Sequence, residues 1–109
     1  MILRAWRGWT TPERADAYER LLREEIFPAI EARRVPGYTG ITLGRRTVGD
    51  EVEFFTIMRF ESLDSVRAFA GEDYETAVVP PAAREVLSHY EDRASHYEIL
   101  EERSAGGAA

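Results

Sequence analysis

The sequence contains no cysteine, so a disulfide framework, thiolate chemistry and a cysteine metal site are all excluded. Long apolar runs are also missing, and no stretch approaches the roughly 20 residues that a membrane-spanning helix needs. Residues 1–4 bring in charge at Arg4, which is too early for a signal peptide. We therefore expect the protein in the cytoplasm of a bacterium, away from membranes.

Lysine is absent too, and every cationic side chain is an arginine scattered among acids. The net charge is −6, whereas a phosphate backbone selects clustered basic residues, so nucleic acid is disfavoured as a partner. The chain has only two histidines and no clustered acidic motif, and we expect no metal site.

The size and apolar content indicate one folded domain. The chain has 109 residues, 44% of them hydrophobic and 11% aromatic, which is enough for a real core. We predict a single domain over residues 1–100 and a flexible C-terminal tail over residues 101–109, where the last residues are small and polar.

Residues 51–60 predict a strand with two different faces, as expected for a strand that lies between two layers. One face is mainly apolar and consists of Val52, Phe54, Thr56, Met58 and Phe60. The other face mixes apolar and charged side chains, namely Glu53, Phe55, Ile57 and Arg59. An amphipathic helix is predicted directly after it, starting at Ser62 and stopping at Gly71.

The remaining elements follow from alternation, helical spacing and turn residues. Strands are predicted at residues 2–9, 38–48 and 89–100, and a long helix starts near Pro12 with a kink or break at Pro28. Gly40 and Gly44 indicate bulges in the second strand, and Gly49-Asp50 is a hairpin turn. A last short helix is predicted from Pro81 through Leu87.

The order strand, helix, strand, strand, helix, strand predicts a ferredoxin-like α+β sandwich. Its four-stranded antiparallel sheet would have the first and third strands in the middle and helices on one side only. The bare face would then expose several large apolar residues. An open patch of that kind predicts a partner, most simply a second copy of the chain in a homodimer.

On these elements the chain resembles the antibiotic-biosynthesis-monooxygenase-like group of the dimeric α/β-barrel superfamily. The resemblance runs through residues 1–100 in element order, and its motifs are ILRAWRG at residues 2–8, FFTIMRF with ESLDSVRAF at residues 54–69, and HYEI at residues 96–99. It implies two ferredoxin-like subunits whose sheets form a barrel, with a pocket between each sheet and its helices. The superfamily includes cofactor-free oxygenases of aromatic polyketides, haem degraders and isomerases.

The chain departs from the haem degraders of this group. Those proteins use an asparagine on the first strand and a tryptophan and a histidine on the second helix. This chain has no asparagine, neither histidine falls in the predicted second helix, and the only aromatics near that helix are Phe69 and Tyr74. Haem degradation is therefore not expected, and we expect no cofactor.

His96 and Arg4 are the candidate catalytic residues, because their strands are expected to pair. His96 would exchange a proton with a phenol or enol, and Arg4 would stabilise the developing oxyanion. In the alternative interpretation His96 hydrogen-bonds a neighbour at the dimer interface and Arg4 pairs with Glu98.

The candidate substrate-binding residues are Trp6, Tyr74, Phe54 and Met58. Trp6 and Trp9 should lie on opposite faces of the first strand, where either ring stacks on a flat substrate or fills core or interface. Tyr74 lies in a segment that has the character of a lid, although an ordinary surface tyrosine is an equal alternative. Phe54 and Met58 should pack beneath the helices. If a cavity is present there, these two side chains would line it.

Two functions follow. The first is a homodimeric, cofactor-independent oxygenase of an aromatic or enolisable small molecule. The second is a non-catalytic homodimer that binds a small hydrophobic metabolite. A cavity that receives Arg4 and His96 would favour the oxygenase, whereas a site filled by Phe54, Met58 and Phe69 would favour the binder.

Overall fold

The computed structural model describes residues 1–106, which form both strands and helices. They are, in chain order, β1 (Ile2–Thr10), α1 (Pro12–Leu21), a π-helical turn (Leu22–Ile26), α2 (Phe27–Ala32), β2 (Tyr38–Val48), β3 (Glu51–Phe60), α3 (Leu63–Ala70), α4 (Pro81–Val86), β4 (His89–Tyr90) and β5 (Ser95–Glu98).

The strands form one antiparallel sheet in the order β2-β3-β1-β4, with β5 also paired to β1. The first and third strands are thus in the middle, and the predicted ferredoxin-like α+β fold is confirmed. In the β1–β3 register Arg4 lies opposite Met58 and Trp6 opposite Thr56. Even-numbered residues of both strands therefore face the helices, and Trp9 faces the opposite side of the sheet from Trp6.

The prediction of one continuous last strand at residues 89–100 was wrong. The segment forms two short strands, β4 opposite Gly8–Trp9 and β5 opposite residues 2–5. Between them the chain leaves the ladder, and the Glu91 carbonyl instead accepts a hydrogen bond from Trp6 Nε1 at 2.7 Å. The indole of Trp6 on β1 thus occupies the Glu91 carbonyl, a backbone acceptor that a continuous strand would pair in the ladder.

The interruption predicted at Pro28 takes the form of a π-helical turn. Proline has no N–H to offer the carbonyl four residues earlier, and Phe27 N–H bonds the carbonyl of Leu22, five residues back. Such turns insert one extra residue while the helix continues. The helix therefore runs on into α2 and keeps Ile26 and Ile30 directed at the sheet side.

Local signals at α3 and the β2–β3 hairpin were predicted correctly. The hydroxyl of Ser62 caps α3 by accepting a hydrogen bond from Ser65 N–H, and Gly71 ends it at φ 92°. Val48 and Glu51 pair across the two-residue turn, where Gly49 has φ 61°.

One of the two predicted bulges is present. The β2–β3 register shifts between Tyr38 and Gly40, as predicted, but it passes through Gly44 without a shift. A Cβ at Gly44 would lie 2.1 Å from Cε1 of Phe55, the residue opposite. Glycine is needed there because the Phe55 ring occupies the space that a Cβ would take. The prediction of a bulge at Gly44 was therefore wrong.

The core between sheet and helices divides into two clusters. In one, Tyr18 of α1 packs edge-on against Phe54 of β3, with ring centroids 4.9 Å apart. In the other, Phe60 and Phe69 pack against Val66 of α3. The site described below lies where these two clusters meet.

The face of the sheet away from the helices mixes apolar and charged side chains. Phe55 and Ile57 are half-buried in the middle of it. They are flanked by charged groups, including Arg46, which pairs with Glu53 at 3.2 Å. The predicted bare face thus exists, with an apolar centre and an ionic border.

No helix within residues 1–106 combines the length and apolar character needed to cross a bilayer. Residues 101–106 lie outside the helices and strands. The remainder of the predicted tail, residues 107–109, lies outside the described residues.

Candidate functional site

A cavity of about 70 Å³ lies between the sheet and the helices, and we call it the inner cavity. Its sheet wall includes Arg4, Trp6, Thr56 and Met58. Its roof is formed by apolar side chains of the first helix and of the segment before α4, among them Leu22, Ile26, Ile30, Val78, Val79 and Pro80. The lining is mainly apolar, and among residues 1–106 Arg4 is the only charged side chain that contributes to it.

Arg4 is a buried cation without a carboxylate partner among residues 1–106. The residue is only 4% exposed. Its guanidinium donates one hydrogen bond to the Tyr74 carbonyl, one to the Thr76 carbonyl and one to His96. Its guanidinium carbon lies 5.5 Å from the centre of the Phe69 ring. Burial lowers the pKa of Arg4 to about 10, so the group remains charged at neutral pH.

His96 is held as a neutral hydrogen-bond acceptor. Arginine can only donate, so the 2.9 Å contact from Arg4 Nη1 requires the lone pair of His96 Nε2 and places the ring proton on Nδ1. Burial and then the charge of Arg4 lower the pKa of His96, while Glu75 opposes them. The register places His96 opposite Arg4, as the predicted pairing of their strands requires.

The alternative pairing of Arg4 with Glu98 is not observed. Glu98 lies opposite Ile2, two pairs further along the ladder, and is exposed. His96 itself does not line the inner cavity. It lies behind Arg4, so the guanidinium and not the imidazole is in position to meet a bound molecule.

Trp6 forms part of the cavity wall, and its ring is fixed in place. Its Nε1 donates to the Glu91 carbonyl at 2.7 Å, and its ring lies 6.1 Å from that of Tyr90. A tryptophan anchored in this way offers an apolar ring edge to the cavity while its polar atom is satisfied elsewhere.

The other three candidate binding residues lie in different places. Met58 lines the inner cavity. Phe54 is 0% exposed beneath Tyr18 and belongs to the core. Tyr74 packs edge-on against His96 at 5.0 Å, and the group that it gives to Arg4 is its backbone carbonyl.

The segment of residues 72–80, which we call the strap, closes one side of the cavity and was missed as a source of lining residues. Val78, Val79 and Pro80 line the cavity, and Arg4 binds the strap through two carbonyls. The strap is also tied to the break between β4 and β5, where Ala77 N–H donates to Asp92 and Ala94 N–H donates to Glu75. Apolar residues ahead of Pro80-Pro81 were the signal in the sequence.

The described residues do not fit a haem or a bound metal ion. No group of three or more His, Asp or Glu side chains in residues 1–106 is placed to hold a metal. The cavity is lined by no histidine, and burial raises the pKa of its one tyrosine, Tyr18, which keeps that hydroxyl protonated and unsuited to binding iron.

Comparison with known proteins shows which solved structures share this fold. Neither a protein-family model nor a curated protein sequence matches the chain. Solved structures do match it, over nearly its full length. A candidate antibiotic biosynthesis monooxygenase from Bacillus cereus has a TM-score of 0.61 and 12% identity, covering 95% of both chains.

Two proteins from Mycobacterium tuberculosis also match. Rv0793 has a TM-score of 0.60 and 20% identity, covering 94% of this chain and 98% of its own. The haem degrader MhuD, solved with two haems bound in its active site, has a TM-score of 0.59 and 18% identity, covering 95% of this chain and 100% of its own. The resemblance to antibiotic-biosynthesis-monooxygenase-like proteins is thus confirmed for the fold.

Proposed function

We propose that the protein is a homodimeric oxygenase that uses no metal or flavin and acts on an aromatic or enolisable small molecule. The observation that carries the proposal is the uncompensated charge of Arg4 in the wall of an apolar cavity. A buried cation without an acidic partner is costly unless something else offsets it. An anion formed from the substrate inside the cavity is the natural partner.

The chemistry needs a stabilised carbanion and dioxygen. Removal of a proton from a substrate CH₂ next to a carbonyl gives an enolate, whose oxygen would be bound by Arg4. The carbanion reduces O₂, and the resulting hydroperoxide loses water to leave a C=O. One oxygen atom enters the product and the other leaves as water, so no external reductant is required.

His96 is proposed to set the position of Arg4 and to accept the substrate proton. As a neutral acceptor at Nε2 it has the lone pair that a base needs, but Arg4 uses that lone pair in the structure. Movement of the guanidinium toward the substrate carbonyl would free that lone pair and let the imidazole reach the cavity. Trp6 and Met58 would form the apolar wall against the substrate ring.

The open face of the sheet supports the proposal of a homodimer. Phe55 and Ile57 lie half-buried at its centre, and Tyr97 beside them is 58% exposed. A second copy would cover these rings, while the Arg46–Glu53 pairs would lie at the border.

A non-catalytic binder of a small hydrophobic metabolite is the second candidate. It is favoured by the position of His96, which lies outside the cavity lining and has its lone pair occupied by Arg4. In that case Arg4 would fix the orientation of a ligand without chemistry at its carbon atoms.

Oxygen consumption with anthrone-like and quinol-like compounds separates the two candidates. The oxygenase predicts uptake of one O₂ per substrate, which Arg4→Met reduces by about a hundredfold, as for the loss of one oxyanion donor. The matched control is Arg45→Met, because Arg45 is bound to Asp16 and Glu19 at the surface. Binding of these compounds without oxygen uptake would favour the binder.

A further inference from the structure

A second space, which we call the outer groove, adjoins the inner cavity on the helical side of the molecule. It measures about 290 Å³ and lies between the first helix and the residues around Pro80. Five residues line both spaces, namely Ile26, Ile30, Phe69, Val78 and Pro80. The two spaces therefore adjoin along these shared residues, and we call them together the cleft, with the inner cavity and the outer groove as its two ends.

Phe69 marks the boundary between these two ends. The Arg4 guanidinium lies 5.5 Å from its ring centre and the Arg33 guanidinium 5.0 Å from it. Arg4 borders the inner cavity, whereas Arg33 borders the outer groove. Arg33 is held to the end of α3 by a 3.0 Å hydrogen bond to the Phe69 carbonyl.

The two ends differ in charge. The inner cavity has the uncompensated Arg4 as its only charged residue. The outer groove has one acid, Glu25, and one base, Arg33, at its rim, and its other residues are apolar. The inner end is therefore suited to an anionic group, and the outer end to an uncharged apolar one.

We propose that the cleft binds an elongated amphipathic acid. Its single anionic group, a carboxylate or an enolate, is bound by Arg4, and its apolar body extends past Phe69 into the outer groove. This assignment deepens the proposed function because it names the substrate class for the same site. It also explains the small volume of the inner cavity, which only has to hold the head of the molecule.

Saturated straight-chain carboxylic acids of four to ten carbons test the assignment, because they bind without being oxygenated. Their affinity for the intact chain, measured by calorimetry, should rise about three- to fourfold per CH₂ once the body enters the groove. The matching alcohols should bind about tenfold more weakly than the acids in the wild type, and equally in Arg4→Met.

Two tryptophan substitutions on the same helix locate the apolar body. Ala29 lines the outer groove but not the inner cavity, so Ala29→Trp should leave short acids unaffected and abolish the gain for longer ones. Ala32→Trp is the matched control, since Ala32 is exposed and lines neither space. If Ala29→Trp does not fold, Ala82→Trp blocks the groove from α4.

Affinity that does not depend on chain length, identical profiles for the blocked and control variants, or failure of every acid to bind would each overturn the assignment. The expected profile with the acids, together with no oxygen uptake from the anthrone-like and quinol-like compounds, would support the assignment while removing the oxygenase. Oxygen uptake from those compounds, with acid binding that does not depend on chain length, would do the reverse.

Discussion

Arg4 Nη1 donates a hydrogen bond to His96 Nε2 across 2.9 Å, and the two residues lie opposite each other on β1 and β5. The bond fixes the imidazole as neutral, with its proton on Nδ1. That Nδ1 is buried and has no hydrogen-bond partner among residues 1–106. The pair therefore combines a charge without an acid and an imidazole with only one of its nitrogens satisfied, which is a costly arrangement for structure alone.

Stability should fall with acidity because of His96. Its pKa is lowered in the folded protein, so below about pH 6.5 the unfolded chain binds a proton more readily than the folded one. The stability contributed by neutral His96 is thus present above pH 6.5 and decreases as the pH falls toward the folded-state pKa. Urea unfolding at pH 7.5, 6.5 and 5.5 measures it. His96→Gln should flatten the dependence, whereas His89→Gln should leave the part due to His96 in place.

Arg4→Met should loosen the strap. The substitution removes the donors to the carbonyls of Tyr74 and Thr76, and hydrogen bonds to charged groups are worth roughly 1.5–3 kcal/mol each. Hydrogen exchange at the Ala77 amide should therefore accelerate by at least about tenfold, the lower value expected for the loss of one such bond. Exchange unchanged relative to Arg45→Met would show that the strap is held by its other contacts alone.

Phe54→Ala should destabilise the fold by about 3–5 kcal/mol, because Phe54 is 0% exposed and packs against Tyr18. Val48→Ala, at a site 43% exposed, should change stability by less than about 0.5 kcal/mol. Denaturant unfolding of the two variants gives the comparison. A loss below about 1 kcal/mol for Phe54→Ala would mean that neighbouring side chains collapse into the space left by the ring, contrary to a fixed core.

Gly37→Ala should destabilise more than Gly49→Ala, although both glycines have positive φ. A Cβ at Gly37, where φ is 80°, would lie 1.9 Å from Ser65 Oγ, while nothing lies within 4 Å of one at Gly49. Gly49→Ala should cost about 1 kcal/mol from the backbone alone, and Gly37→Ala should add roughly 1–3 kcal/mol for the clash. Equal thermal shifts would contradict the tight packing of α3 against the turn before β2.

Light scattering should give the mass of two chains at micromolar concentration, and Ile57→Glu should give that of one. A charge at the centre of the open face removes apolar contact and introduces an uncompensated acid at the interface. Leu63→Glu, at the exposed start of α3, should remain a dimer. A wild-type mass of one chain would remove the homodimer.

Much of the fold could be predicted because its signals are local. Alternation assigned Trp6 and Trp9 to opposite faces, and Ser62 and Gly71 mark the ends of α3. The break at Glu91 could not be predicted, since it depends on an indole reaching across from β1. The need for glycine at position 44 likewise could not be predicted, since it comes from the ring of Phe55 on another strand.

The candidate site was predicted in part. The sequence indicated that Arg4 and His96 would meet, because their strands were expected to pair. It did not indicate that Arg4 stands in front of His96, or that Phe69 separates two spaces. Both depend on the path of the strap and the π-helical turn, which are tertiary features with no local pattern.

The ties between the strap and the break at residues 91–94 have a consequence for aggregation. Thr76 bridges Arg93, and the neighbouring amides are bonded in both directions, so part of this margin of the sheet is already occupied by the chain itself. Strands of other chains can pair with the unpaired N–H and C=O groups of an edge strand. The long open margin is that of β2, where Arg45 and Arg46 are charged side chains of the kind that disfavour the addition of a further strand.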